Sequence, residues 1–261
     1  MKYDNVAFGA DPELFLMDHD GKYKSAIGLI GGTKEFPRPI DDYGSAVQED
    51  NVAVEFNIIP AMSRAEFRRN VEFVMAYLAK HAESMALRLA VVPAAFFDES
   101  ELDNPQAQRF GCDPDFNVWT KAKNSRPELT GDMTRLRSCG GHIHVSWSRP
   151  QTDDQTTLIK AMDLFLGCTS VEYDGDKLRR ELYGKAGAFR FKPYGVEYRV
   201  LSNFWIKSPE MVDWAYDQTE MAIDYLNGGG VIDEEHYPMI QKCINTGDEY
   251  ILNQLRDVYP I

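Results

Sequence analysis

The chain has 261 residues, 44 % of them apolar and 12 % aromatic, enough to bury a sizeable core in one domain spanning 1–261. Its 41 acidic against 28 basic residues give a formal net charge of −13, which repels phosphate backbones and anionic lipid and argues against a nucleic acid or membrane partner. No run approaches the ~20 apolar residues of a membrane span, the opening MKYDNVAFGADPE has no stretch of signal-peptide length, and Cys112, Cys139, Cys168 and Cys243 form no C-x-x-C pair, so a cytoplasmic chain with reduced thiols is expected.

In chain order, Val6 to Met17 is strand-like, His19-Asp20-Gly21 is a hairpin turn, and Lys24 to Ile30 is a return strand. Glu49-Asp50-Asn51 reads as a turn before the alternating strand Val52 to Ile58. Ser63 to Glu66 has the form of a capping box, with Glu66 reaching back. The helix behind it runs to about residue 86 and places Phe67, Val71, Val74, Leu78 and Met85 on one stripe. Leu87 to Ala95 is a short strand, and Phe97 to Pro127 is a long loop region rich in Asp, Asn, Pro and Gly. Leu136 to Trp147 is a strand, and Asp153 to Thr169 a helix burying Leu158, Met162, Phe165 and Leu166. Leu178 to Gly187 is a short helix or loop, and Val196 to Phe204 a strand. Ser208-Pro209 opens a helix whose Met211, Trp214, Met221 and Leu226 face inward, and Gly228-Gly229-Gly230 ends it. Two short helices complete a helical region over about 208–261. Hairpin-like turns between strands predict an α+β fold, an antiparallel or mixed β-sheet with helices packed on one face. Neither a P-loop nor a G-x-G-x-x-G motif occurs.

Four segments put polar groups where apolar strand residues belong. Asp11 and Glu13, two apart, share one strand face, where two like charges repel unless a cation lies between them. Glu55 and Asn57 share a face opposite Val54 and Phe56. His142 and His144, in Cys139-Gly-Gly-His-Ile-His-Val145, direct two imidazoles to one side, and the glycines let something approach the backbone closely. Glu197 and Arg199 share a face just after Arg190 and Lys192, which supplies a carboxylate beside cations able to clamp phosphate. Separately these are solvated acids, incidental histidines or a cross-strand ion pair. Together they have the composition of a metal–phosphate site whose oxygen-rich ligands favour Mg2+ or Mn2+.

The order D-P-E, V-E-F-N, G-G-H-I-H-V and V-E-Y-R, flanked by RSCGGHIHV and KPYGVEYRVLSNFW, resembles the phage-encoded carboxylate–amine ligases of type 2, in the glutamine synthetase and glutamate–cysteine ligase superfamily. The resemblance runs from about residue 5 to 206. It implies a sheet shaped as a funnel with helices on its outer face, taking ATP at one end and the acid and amine at the other. It implies metal ligation by Glu13, Asp11, Glu55, His142 and Glu197. It places His144 near phosphate or the substrate carboxylate, Arg199 on phosphate with Lys192 nearby, and Arg190 as a further cation. Asp11 stands where superfamily members often have Glu. The implied reaction is ATP-dependent joining of a small-molecule or peptide carboxylate to an amine through an acyl-phosphate. The chain is shorter than the best-known superfamily members, so the acid, the amine and the oligomeric state stay open. Asp113, Asp115 and Asn117 are candidates for substrate contact or ordinary turn residues, and Cys139 reads as a small buried residue. Two other readings of the same residues are a metal-dependent hydrolase built on the H-x-H and acids, and a non-catalytic binding protein.

Overall fold

Along the first strand Phe8, Ala10, Leu14 and Leu16 enter one apolar core, while Asp11 and Glu13 fall on the other face. The computed structural model of the chain describes residues 2–108, 115–125 and 129–261. In chain order its strands begin with β1 (Ala7–Met17), β2 (Tyr23–Lys24), β3 (Arg38–Pro39), β4 (Ala46–Asp50) and β5 (Ala53–Asn57). Helix α1 (Arg64–Ser84) precedes β6 (Arg88–Ala90), β7 (Ala94–Phe96), β8 (Phe116–Asn117), β9 (Ala122–Lys123), β10 (Leu136–Ser138) and β11 (Gly141–Ser146). Then come α2 (Thr152–Met162), α3 (Lys177–Leu182), β12 (Ala188–Lys192), β13 (Gly195–Tyr198), α4 (Pro209–Asn227), α5 (Tyr237–Thr246) and α6 (Glu249–Arg256). The main sheet runs β3-β4-β5-β1-β11-β13-β12-β8-β9, with β2 and β6 also on β1, and its described pairings are antiparallel. The fold is thus α+β, and the sheet is antiparallel rather than mixed.

One face of this sheet is apolar. Phe8, Ala10, Leu14, Val54, Phe56, Ile143, Val145, Val196, Tyr198 and Phe189 are all buried in one core with residues of α1, α2 and α4. The stripe Phe67, Val71, Val74 and Leu78 of α1 packs there as its spacing requires. Ser63 caps that helix by accepting from Glu66 N, while the Glu66 carboxylate reaches back to Met62 N, one residue further than a capping box would take it. No described helix is long and apolar enough to cross a membrane.

The structure departs from the sequence expectations at several elements, each for a local reason. Lys24 to Ile30 is not a return strand beyond β2, because the Glu49 carboxylate gathers the N–H groups of Gly28, Ile30 and Gly31 and holds that backbone as a loop. The turn expected at Glu49–Asn51 moves to Asn51 and Val52, with Asn51 at φ 60, so that Glu49 and Asp50 belong to β4. Leu87 to Ala95 divides into β6 and β7, which pair with different strands, and Leu136 to Trp147 into β10 and β11. The strand from Val196 stops at Tyr198, and Ser202 caps a 3-10 turn over Asn203–Ile206. The helix expected over Asp153 to Thr169 is regular only to Met162 and continues as a π-helical turn over Asp163–Cys168. The fully buried face of α4 is Val212, Ala215, Tyr216, Thr219, Ala222 and Ile223, set by its packing against both α1 and α2; Met211, Trp214 and Leu226 are half-buried against the same core, and Met221 is 38 % exposed.

Candidate active site

The polar face of the sheet is assembled by register. Glu13 of β1 lies directly across from Glu55 of β5, which in turn faces Gln48 of β4. One step along, Asp11 faces His142 of β11. A third row runs from His144 to Glu197 of β13 and on to Arg190 of β12. Asp11, Glu13, Glu55, His142, His144, Arg190, Lys192, Glu197 and Arg199 therefore converge on one side of five neighbouring strands, although β1 and β13 are about 180 residues apart in the chain.

Two acidic groups adjoin there. In the first, Asp11 Oδ1 is 3.3 Å from His142 Nδ1 and 3.0 Å from His144 Nε2, and His142 Nδ1 is 3.9 Å from Glu197 Oε1. Burial opposes the Asp11 charge, but the two imidazoles outweigh it and hold its carboxyl well below the usual range. Burial also works against His144 carrying charge, and the Asp11 carboxylate overrides it and raises its pKa. Glu197 is fully buried; burial and Asp11 oppose its charge, yet Arg199 and the histidines bring it down to about 2. Its carboxylate contacts Arg199, lies 2.6 Å from Lys192 Nζ and 3.4 Å from Arg190.

The second group is Glu13, Asp50 and Glu55, whose oxygens come within 4.8 Å of one another. Here the balance is reversed. Burial, then the charge of Asp50, raises the Glu13 pKa; burial, then Asp11, Glu13 and Asp50, raises that of Glu55 well above normal. Glu13 is held by the Gly140 N–H at 2.8 Å, and its own carbonyl accepts from Asn203 Nδ2. Acids that repel each other in a buried place, with hard oxygen donors and one imidazole alongside, fit Mg2+ or Mn2+ and fit zinc poorly.

Asp50 was hidden in the sequence because an Asp beside Asn reads as a turn; the signal was its spacing of two from Gln48, which faces Glu55 across a two-residue connection and puts Asp50 on the same face. Tyr194, whose hydroxyl is 2.6 Å from His144 Nδ1, gave no signal beyond its place in KPYGVEYR. Asp115 does reach the site, 2.6 Å from Arg199 Nε and 3.6 Å from Arg190 Nε. Asn117 faces elsewhere, tying the Ala186 carbonyl to its own turn, and Asp113 and Cys112 lie outside the described residues. Cys139 is buried, and burial pushes its thiol well up, as suits a packing residue. The glycines beside it admit neighbours of this chain: the Ser202 carbonyl and Trp205 crowd Gly141, and the His142 ring lies over Gly140. A cavity of about 400 Å³ opens beside His144, lined by Ala7, Gly9, Ile58, Pro60, Ser146 and Tyr194 among others.

Residues 128–238 match the family model described as Phage phiEco32-like COOH.NH2 ligase-type 2. This bears out the resemblance read from the motifs over a stretch that contains His142, His144, Arg190, Lys192, Glu197 and Arg199. No curated protein matches the chain. Among solved structures, one described as "Apo GmaS without ligand" is 13 % identical, with 97 % of this chain and 68 % of that chain aligned at a TM-score of 0.46.

Proposed function

We propose that the chain is an ATP-dependent ligase that joins a carboxylate to an amine through an acyl-phosphate. The observation that supports this most is the juxtaposition of two carboxylate groups with Arg190, Lys192 and Arg199 on one sheet face. A simple amide hydrolase needs the acids and histidines but not three cations beside them; phosphoryl transfer needs both. The match of residues 128–238 to a carboxylate–amine ligase family points the same way.

In this reading Asp11, His142 and Glu197 hold one divalent ion and Glu13, Glu55 and Asp50 a second. Bound there, such ions neutralise charge on phosphoryl oxygens. The half-apolar cavity beside His144 takes the nucleoside end of ATP, so that its phosphates extend toward His144 and the basic row. The acid substrate attacks the γ-phosphorus through a carboxylate oxygen, and ADP leaves. Arg190, Lys192 and Arg199 oppose the negative charge that spreads over the equatorial oxygens. The amine then attacks the acyl carbon, the C–O bond to phosphate breaks, and the amine gives up a proton to an oxygen of the departing phosphate. The sheet holds these groups on hydrogen-bonded strands, which fixes their positions more closely than loops would.

The test is ADP and phosphate release with Mg2+ and ATP in the presence of pooled acids and amines. ADP formation that needs both an acid and an amine, and that falls at least roughly 10²-fold in Glu13→Gln and Glu197→Gln, is the expected result. No nucleotide binding at millimolar Mg2+ and ATP would reject the ligase and favour metal-dependent hydrolysis.

A further inference from the structure

Arg199 occupies an unusual position for a residue whose partner is to be an anion. Its NH1 is 3.1 Å from His142 Nδ1 and in contact with Glu197 Oε1. These are the two atoms that, with Asp11 Oδ1, form the convergent donor set of the first acidic group. With the His142 proton on Nε2, Nδ1 offers one lone pair, which serves a guanidinium N–H or a metal ion but not both. The other side of the guanidinium is held separately: Nε meets Asp115 Oδ1 at 2.6 Å. Asp115 is itself fixed, since its carbonyl accepts from Asn124 N and the next residue, Phe116, pairs with Phe189 of β12.

We propose that Arg199 is a built-in counter-cation that competes with the divalent ion for His142 and Glu197, and that Asp115 is the pivot on which the guanidinium is retained when the ion enters. This rests on the reading of that group as a metal site. Ion entry expels NH1 from the two donor atoms while the Nε bond to Asp115 keeps the arginine within the site, so the same event that fills the metal position presents a guanidinium to the phosphoryl oxygens. Metal loading and anion clamping become one ordered sequence. Arg199 is then a catalytic residue in the loaded enzyme, and Asp115 a positioning residue that acts through it. Lys192 provides the contrast, because it neutralises the same Glu197 through the other oxygen, 2.6 Å from Oε2, and has no contact with His142 Nδ1 in the structure.

The experiment is Mn2+ binding in the absence of nucleotide, followed by the electron paramagnetic resonance of free Mn2+, at low and at 0.5 M salt (about 4 Å of screening length, so that only contact effects survive). Arg199→Gln is expected to bind Mn2+ roughly tenfold or more tightly than the parent, and Lys192→Gln to gain clearly less. Asp115→Asn is expected to bind more weakly than the parent, and that weakening is expected to vanish when Arg199→Gln is also present, as it must if Asp115 acts through the arginine. Equal gains in Arg199→Gln and Lys192→Gln would show bulk charge alone and overturn the competition. A loss in Asp115→Asn that persists undiminished in the double variant would overturn the pivot. If Mn2+ binds neither the parent nor Arg199→Gln, or if Glu197→Gln binds as many ions as the parent, the metal assignment of this group fails and takes this inference with it; if Glu197→Gln binds one ion fewer than the parent, the assignment stands and the comparison of variants decides.

Discussion

Glu55 shows how a residue can oppose the fold that carries it. Its carboxyl is buried, faces Glu13 across the strand pair and lies near Asp50 and Asp11, and its pKa is raised well above the ordinary 4.5. A group whose folded pKa is raised holds its proton in the folded state where the unfolded chain has already lost it. Its contribution is therefore favourable below 4.5 and is lost as pH rises through the raised value. Asp11 and Glu197 have the opposite sign: their folded values are depressed, so their contribution is present above the ordinary range and is lost as pH falls toward about 2 for Glu197. In EDTA at neutral pH, Glu55→Gln should thus be more stable than the parent, with Tm raised by roughly 2–4 °C for each kcal/mol of repulsion removed. Gln at 55 keeps a partner in Gln48, which already hydrogen-bonds the native side chain. With Mn2+ added the order should reverse, because the parent gains stability from ion binding and the variant gains less. Scanning calorimetry with and without Mn2+ checks both signs; a variant that is less stable in EDTA would mean that Glu55 is not the strained member of the group.

At the scale of elements, the entry to β11 carries the sharpest constraint. A Cβ at Gly141 would run into the Ser202 carbonyl and Trp205 Nε1, which are backbone and a fully buried side chain, whereas a Cβ at Gly140 would meet the ring of His142. The two adjacent glycines should therefore fail differently. Gly141→Ala should destabilise by about 1–3 kcal/mol through forced displacement of packed atoms. Gly140→Ala should unfold near the parental urea concentration but lose Mn2+ affinity about tenfold, because the imidazole is pushed from its place. Urea unfolding beside Mn2+ titration separates them, and equal loss of stability in both would refute the distinction. The glycines were visible in the sequence as a point of close approach, but not what approaches, since Ser202 and Trp205 lie some sixty residues on. The same limit explains the other misread elements. Alternation and capping located β1, β5, α1 and the start of α4, because those signals are local. Lys24 to Ile30 looked like a strand because nothing nearby in sequence shows the Glu49 carboxylate that captures its N–H groups.

For the whole molecule, nine residues of the proposed site were singled out in the sequence, as polar groups within or beside strand-like runs and by the resemblance those runs carry. Their register, with Glu13 opposite Glu55, Asp11 opposite His142 and His144 opposite Glu197, was not legible, because strand neighbours joined across the chain leave no local trace. Asp163 was missed entirely. It is a lone acid in the apolar run Asp163-Leu-Phe-Leu-Gly-Cys168, and only the structure shows that it joins Trp119 to Tyr198 of β13 on the apolar side of the sheet. Its carboxylate accepts from Trp119 Nε1 at 2.6 Å and from Tyr198 O–H at 2.8 Å, and Tyr198 lies between the site residues Glu197 and Arg199 with its ring on the opposite, apolar face. Burial raises its pKa from 3.8 to about 7 against the pull of those donors. With the folded value raised, the stabilising contribution is complete below 3.8 and is lost as pH rises through about 7. Asparagine at 163 can accept from Trp119 and donate to the tyrosine oxygen, and it does not ionise. Between pH 5 and pH 8 the stability of Asp163→Asn relative to the parent should therefore grow by roughly 2–3 kcal/mol. Urea unfolding followed by tryptophan fluorescence at the two pH values measures this directly. A relative stability that does not change with pH would mean that Trp119 and Tyr198 keep Asp163 ionised throughout, so that the bond behind the site is a fixed charge rather than a neutral acid.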